Sequence, residues 1–238
     1  AMIIVNITDL AVELGTYNPR AFSRNNNSLL YQILLPNNYY EAASLPLLVF
    51  LHGSGERGND NRAQLKHGSQ LFLDSIMVYP ALVVFPQCPV NDSWPNSFSG
   101  PLDPANPAMA LVELLVDSLI NSGKVDPSRV YVAGLSMGGF GTAQMLAKFP
   151  DTYAAGVVIC GGAPLSHADD LKNTPTWIFH GLEDNVVSPQ YSIDYFAAID
   201  EGDDKHRLTL YEGVDHLSWD HAFNEPDFLS WIFSRSRE

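Results

Sequence analysis

A serine hydroxyl is a poor nucleophile until a tight turn presents it and a neighbouring base accepts its proton. Gly134-Leu135-Ser136-Met137-Gly138 is G-x-S-x-G, set directly after the β-branched run Val130–Ala133 and directly before a helical pattern ending at Phe149-Pro150. That strand–turn–helix setting is the one a nucleophile elbow requires. Small residues two before and two after the serine keep the strained turn free of clashes. The helix behind it, starting near Gly138, points its first N–H groups at developing negative charge. Gly139 and Gly141 add room for close helix packing.

A carboxylate and then a histidine should follow the serine along the chain. His180-Gly181-Leu182-Glu183-Asp184 follows the apolar run Trp177–Phe179, and Gly213-Val214-Asp215-His216 follows Arg207–Tyr211. Both fall just past candidate strand ends, the edge where open α/β sheets build their sites. His216 is assigned as general base and acid, and Asp184 as the carboxylate that orients it. Asp184 is preferred to Glu183 because it sits deeper in its loop, before the apolar Val186-Val187. His180, at a strand end, reads as a buried hydrogen-bonding histidine. His221 reads as a surface or packing residue in a helical stretch, and Asp215 as a solvated loop carboxylate.

Acyl transfer also needs two N–H donors for the oxyanion, each worth about 3 kcal/mol in the transition state. Met137, next to the nucleophile, supplies one. The loop His52-Gly53-Ser54-Gly55, after the run Leu47–Leu51, supplies the other, assigned to Ser54. Trp94, in the long Pro86–Pro107 loop, and Trp219, just after His216, are candidate pocket walls, since flat rings stack on aromatic acyl groups and on sugars. Arg57 is a candidate partner for a substrate carboxylate, with pairing to Glu56 or Asp60 as the alternative.

Other chemistries fit less well. Gly53-x-Gly55-x-x-Gly58 matches a dinucleotide fingerprint, but the acid expected about 20 residues on is missing. The run Ala81–Phe85 ends in Pro86-Gln87 instead. No metal or other cofactor is expected: His216 and His221 lack the i, i+4 spacing of a zinc helix, and Asp200-Glu201-Gly202-Asp203-Asp204 lacks the spacing of a calcium loop.

The elements that must position these groups are legible as alternation. Leu29–Leu35 reads as an early strand, in an antiparallel entry with the N-terminal segment. Leu47–Leu51, Ala81–Phe85, Val130–Ala133, Ala155–Ile159, Trp177–Phe179 and Arg207–Tyr211 read as further strands. Near-continuous apolar runs such as Leu47–Leu51 suit strands buried on both faces. A helix capped by Asn106 with Pro107 in its first turn runs to Gly123, with Leu111, Val112, Leu115, Val116 and Leu119 on one face. Others span Gly138–Phe149 and Tyr191–Ile199, and a last one begins near Pro226 and buries Phe228, Leu229, Ile232 and Phe233. Asp126-Pro127-Ser128 reads as a turn. Strands alternating with helices give an α/β class with a mostly parallel sheet. Between Cys160 and Pro175 there is too little chain for a separate cap.

Composition closes off other classes. The 238 residues are 46% hydrophobic, enough for a sizeable core and too many for a disordered chain. Lys and Arg number 13 against 27 Asp and Glu, a net charge of −14 that excludes nucleic acid and anionic membrane surfaces as partners. The longest apolar run, Leu45–Leu51, is far short of the roughly 20 residues of a membrane span. The start, Ala1–Asn6, lacks a basic region and a cleavage site, so no signal peptide is expected in this chain. A signal already removed leaves no trace, so both cytoplasmic and secreted locations stay open, as does oligomeric state. Cys88 and Cys160 follow strands separated by the nucleophile strand and are not expected to pair.

Taken together, Leu51-His52-Gly53-Ser54-Gly55-Glu56-Arg57-Gly58, Phe85-Pro86-Gln87-Cys88-Pro89 and the stretch Asp126–Gly139 resemble the α/β-hydrolase esterases. The nearest branch is similar to the predicted-peptidase and feruloyl- or acetyl-xylan-esterase-like group, related to phospholipase/carboxylesterases and polyhydroxybutyrate depolymerases. His180-Gly181 with Asp184, and His216-Leu217-Ser218-Trp219, complete the match, which runs from about Leu47 to Trp219. The resemblance implies an α/β-hydrolase fold: one domain over residues 1–238, an eight-stranded, mostly parallel sheet flanked by helices, and no large cap. It also implies serine carboxylesterase chemistry without a cofactor, on short-chain acyl esters or on feruloyl and acetyl esters of carbohydrates. Two alternatives stand beside it. A peptidase of the prolyl-oligopeptidase kind usually needs a gating domain for which there is no chain. A non-catalytic ligand-binding module on the same fold typically lacks one of the three side chains kept here.

Overall fold

A computed structural model describes residues 12–95 and 107–237. The Asn106 cap, the far part of the Pro86–Pro107 loop and the Ala1–Asn6 start lie outside the described residues.

Among the described residues, eight strands form one sheet: β1 Tyr17–Arg24, β2 Asn27–Leu34, β3 Leu45–Leu51, β4 Leu82–Gln87, β5 Val125–Leu135, β6 Ala155–Ile159, β7 Thr176–Gly181 and β8 Arg207–Tyr211. Their spatial order is β1-β2-β4-β3-β5-β6-β7-β8. The β1–β2 and β2–β4 pairs are antiparallel and all others parallel. The early antiparallel entry matches expectation, with β1 as the partner the apolar pattern left unplaced. Its alternating buried and exposed residues suit an edge strand with one wet face.

Both faces of the central strands are buried. Along β3, Leu47, Val49 and Leu51 join a core that includes helix α2 (Pro107–Asn121), α3 (Met137–Lys148) and α5 (Gln190–Ile199). Leu48 and Phe50 point the other way, into a core with α1 (Ser69–Ser75) and the C-terminal α7 (Phe228–Phe233). The period of two thus sorts one apolar run between two layers, each large side chain contributing roughly 2 kcal/mol of burial. Between β6 and β7 stand only a 3₁₀ turn, Leu165–His167, and the short α4 (Ala168–Leu171), so no cap rises there.

Two local expectations are corrected. Asp126-Pro127-Ser128 lies inside β5 rather than before it: the pairing jumps from Leu45↔Val125 to Leu47↔Val130, so the turn survives as an irregularity within the strand. It is held by Asp126 Oδ1, which accepts from the Ser128 amide (3.0 Å) and hydroxyl (2.7 Å). In α7 the fully packed residues are Phe228, Trp231 and Ile232, whereas Leu229 and Phe233 are only half-buried. Cys88 and Cys160, at the ends of β4 and β6 with β3 and β5 between them, are free thiols.

Because β3, β5, β7 and β8 run in one direction, their C-terminal ends share one rim. The loops leaving that rim carry Ser54, Ser136, Asp184 and His216.

Candidate active site

The turn from β5 into α3 holds Ser136 at φ 53° and ψ −118°, a left-handed conformation that few non-glycine residues adopt. The surroundings over-determine it. The Ser136 amide donates to the Ile159 carbonyl (2.9 Å), and the Ser136 carbonyl accepts from Phe140 (3.2 Å) at the start of the helix. A Cβ on Gly134 would strike the carbonyl of Gly138, and one on Gly138 would strike the carbonyl of Leu51. The spacing of small residues around the serine is therefore a packing requirement.

Three side chains from three loops meet here. Ser136 Oγ lies 3.0 Å from His216 Nε2, and His216 Nδ1 lies 2.7 Å from Asp184 Oδ2. The acceptor at Nδ1 fixes the proton there and leaves Nε2 to accept from the serine. Asp184 is buried, and its other oxygen accepts from the Val186 (2.8 Å) and Val187 (2.9 Å) amides. Burial alone would raise its pKa, but the hydrogen bonds from His216, Val187 and Val186 prevail and hold the carboxyl below its usual value.

The competing residues lie elsewhere. Glu183 and Asp215 face solvent, and Asp215 accepts from the Leu217 amide (2.9 Å). His221, on α6 (Trp219–Ala222), is exposed and packs on Tyr211. His180 is completely buried, as expected, yet it also touches the site: its Nε2 sits 3.1 Å from Asp184 Oδ2, the oxygen bonded to His216, and 3.0 Å from the Val187 carbonyl. Its Nδ1 lies 2.7 Å from Ser192 Oγ. Burial lowers the His180 pKa, which favours a neutral ring donating from Nε2.

Across from the serine, Gly53 is extended and Ser54–Glu56 forms a 3₁₀ turn. Ser54, Ser136 and Met137 line one hollow of 240 Å³ with Phe140, Val186, Val187 and Tyr191. A residue with no assigned role in the sequence braces this loop. His52 is buried; its Nε2 accepts from the Cys88 amide (2.9 Å), so Nδ1 donates to the Gly53 carbonyl (2.6 Å). Burial pushes the His52 imidazole down to about 4.

The pocket candidates divide. Trp219 lines a second hollow, of 480 Å³, together with Glu56, Lys66, His67, Ser136, His216 and Leu217. Trp94 is placed differently from expectation: it is fully buried, its indole N–H donates to the His52 carbonyl (2.9 Å), and it lines neither hollow. Arg57 is also off both hollows. Its guanidinium donates to the Ser54 (3.1 Å) and Asp92 (3.2 Å) carbonyls rather than pairing with Glu56 or Asp60. Both residues bond to main-chain carbonyls of the His52–Ser54 loop. Phe140, Tyr191, Val186 and Val187 were not read as pocket walls in the sequence, because nothing in their spacing says that two separate loops converge.

Among the described residues, the one cluster with metal-ligand spacing is Cys160, Asp184 and His216, all within 4.8 Å. Asp184 and His216 already bond each other, and burial pushes the Cys160 thiol up to about 12, keeping it protonated. Among the described residues no helix is long and apolar enough to cross a membrane.

The chain is similar to known esterases and a depolymerase. The chain is 27% identical over 199 residues to poly(3-hydroxyalkanoate) depolymerase C of Paucimonas lemoignei, covering 73% of this chain and 46% of that protein. It is 28% identical over 159 residues to a probable carboxylesterase SOBER1-like of Arabidopsis thaliana, covering 59% of this chain and 60% of the relative. The chain thus spans less than two thirds of these relatives' lengths. A crystal structure of a thermostable esterase superposes with a TM-score of 0.85 at 32% identity, covering 93% of this chain and 63% of that one. The family model described as Phospholipase/Carboxylesterase matches residues 40–229, a stretch that takes in Ser54, Ser136, Asp184 and His216. With the match running that far along the chain, the protein belongs to the phospholipase/carboxylesterase family of α/β-hydrolases.

Proposed function

We propose that this chain is a serine carboxylesterase, hydrolysing carboxylic esters through an acyl-enzyme. The observation that carries the reading is the unbroken hydrogen-bonded line from Ser136 through His216 to buried Asp184. Ser136 Oγ attacks the ester carbonyl carbon while its proton passes to His216 Nε2. The carbonyl oxygen gains the negative charge and takes hydrogen bonds from the Ser54 amide, in the turn after β3, and from the Met137 amide, at the N-terminus of α3. Collapse of the tetrahedral intermediate breaks the bond to the alcohol oxygen, which leaves with the proton from His216. Water then attacks the acyl-serine, giving its proton to His216, and Ser136 departs with that proton as the carboxylic acid is released.

The substrates in view are short-chain acyl esters and acetyl or feruloyl esters of carbohydrates, which agrees with a hollow of 240 Å³ lined by Phe140, Val187 and Tyr191 on one side of the serine and a cleft of 480 Å³ that includes Glu56, Lys66 and His67 on the other. Ser136→Ala is expected to abolish hydrolysis of p-nitrophenyl acetate and labelling by a fluorophosphonate probe, with the thermal melt unchanged. Retained turnover would remove Ser136 from the nucleophile role. A native protein that resists the probe would favour the binding-module alternative, and faster cleavage of peptides than of esters the peptidase one.

A further inference from the structure

The two hollows flank Ser136, and His216 lines the larger alone. On the catalytic reading above, the leaving oxygen takes its proton from His216 Nε2. The alcohol half of an ester therefore lies in the 480 Å³ cleft and the acyl half in the 240 Å³ hollow.

Glu56 stands in that cleft with a side chain only 7% exposed. Its carboxylate accepts no hydrogen bond from any described side chain or amide. The nearest donors, His67 Nε2 at 3.6 Å and Lys66 Nζ at 3.8 Å, are beyond good hydrogen-bonding distance. Buried carboxylates are normally satisfied, so a nearly buried one that lines a cleft with unused lone pairs is placed to receive a ligand's donors. Beside it, Lys66 offers an ammonium donor, and His67 packs on Trp219 with ring centroids 5.1 Å apart.

The charges narrow the ligand. A bare carboxylate would select a cationic alcohol, but the Lys66 ammonium beside it repels one, and Glu56 repels an anionic one. Hydroxyls on neighbouring carbons donate to a carboxylate and accept from an ammonium at adjacent points, and the Trp219 and Leu217 side chains provide an apolar wall for the C–H face of such a molecule. We propose that Glu56, Lys66 and His67 form a binding site for a neutral, polyhydroxylated leaving alcohol, with Glu56 accepting from its hydroxyls.

The test compares an acetylated xylo-oligosaccharide with p-nitrophenyl acetate, two substrates that share an acyl group. In Glu56→Ala the ratio of the two kcat/KM values, sugar ester over nitrophenyl ester, is expected to fall about 10- to 100-fold. Exposed Lys66→Ala, which carries little folding risk, is expected to lower the ratio by about threefold to tenfold. Ratios that stay within twofold of the native protein in both variants overturn the proposal. So does a native preference for acetylcholine over the sugar ester. Failure of the catalytic reading looks different, as turnover of both substrates by Ser136→Ala. In that variant, calorimetric binding of the unacetylated xylo-oligosaccharide still reads the site: binding lost on adding Glu56→Ala supports it, and binding unaffected by that change overturns it.

Discussion

Asp184→Asn tests the orienting carboxylate most sharply, because every lone-pair direction of Asp184 is in use. One oxygen accepts from two backbone amides, at 2.8 and 2.9 Å, and the other from two imidazole rings, at 2.7 and 3.1 Å. An asparagine has one acceptor oxygen for the two sets. If that oxygen stays with the Val186 and Val187 amides, its NH₂ faces His216 Nδ1, which must become an acceptor. The His216 proton then moves to Nε2, and the ring can no longer take the proton of Ser136. A wrong tautomer of this kind costs about 10⁴ in turnover, or about 5 kcal/mol at about 1.36 kcal/mol per tenfold. The assay is kcat/KM for p-nitrophenyl acetate, with the rate of fluorophosphonate labelling as a second measure of Ser136 nucleophilicity. A thermal melt checks folding, since one mispaired buried donor costs about 1–3 kcal/mol. A folded Asp184→Asn protein with kcat/KM within tenfold of the native value would refute the argument.

Two further outcomes follow from other parts of the site. His52 is depressed to about 4 from 6.5 by burial, so the unfolded chain binds its proton more readily than the folded one does. Its stabilising effect is full above pH 6.5 and is lost as pH falls towards 4, by about 3 kcal/mol in total. Urea melts should show the native protein losing about that much more stability between pH 7 and pH 4 than His52→Gln, and equal losses would contradict the burial argument. Tyr191 flanks the smaller hollow, where its ring meets Phe140 edge-on at 5.4 Å. Tyr191→Ala should raise the octanoyl-to-acetyl ratio of kcat/KM by about tenfold on p-nitrophenyl esters, and an unchanged ratio would place the acyl chain elsewhere.

The sheet was readable because its central strands are buried on both faces and need little but apolar residues, as in β3. Strand β1 was not, since a half-wet edge strand carrying Asn18, Pro19 and Arg20 looks like loop until its partner is known. The meeting of Ser136, Asp184 and His216 at one rim was readable from strand ends and chain order. The pocket walls were not: Trp94 and Trp219 are the same residue type in comparable loops and both are buried, but Trp94 packs against His52 while Trp219 also borders the cleft. Arg57 misled for a similar reason, because a sequence cannot show that main-chain carbonyls, not carboxylates, stand within its reach. His180 looked structural and is buried, but its bond to Asp184 depends on a loop closing back by four residues.

The walls of the two hollows come from different stretches of chain. Apart from Leu135, the larger draws on residues 53–67 and 216–219, the smaller on 137–140 and 187–191, with Ser54, Ser136 and Val186 common to both. Substitutions that retune recognition of one half of the substrate can therefore accumulate without disturbing the other. Of the three shared residues, Ser136 and Ser54 belong to the proposed catalytic machinery, and Val186, 73% exposed, is the one left free to vary. A change there would alter tolerance for acid and alcohol at once, making it the position where the two selectivities are coupled by inheritance.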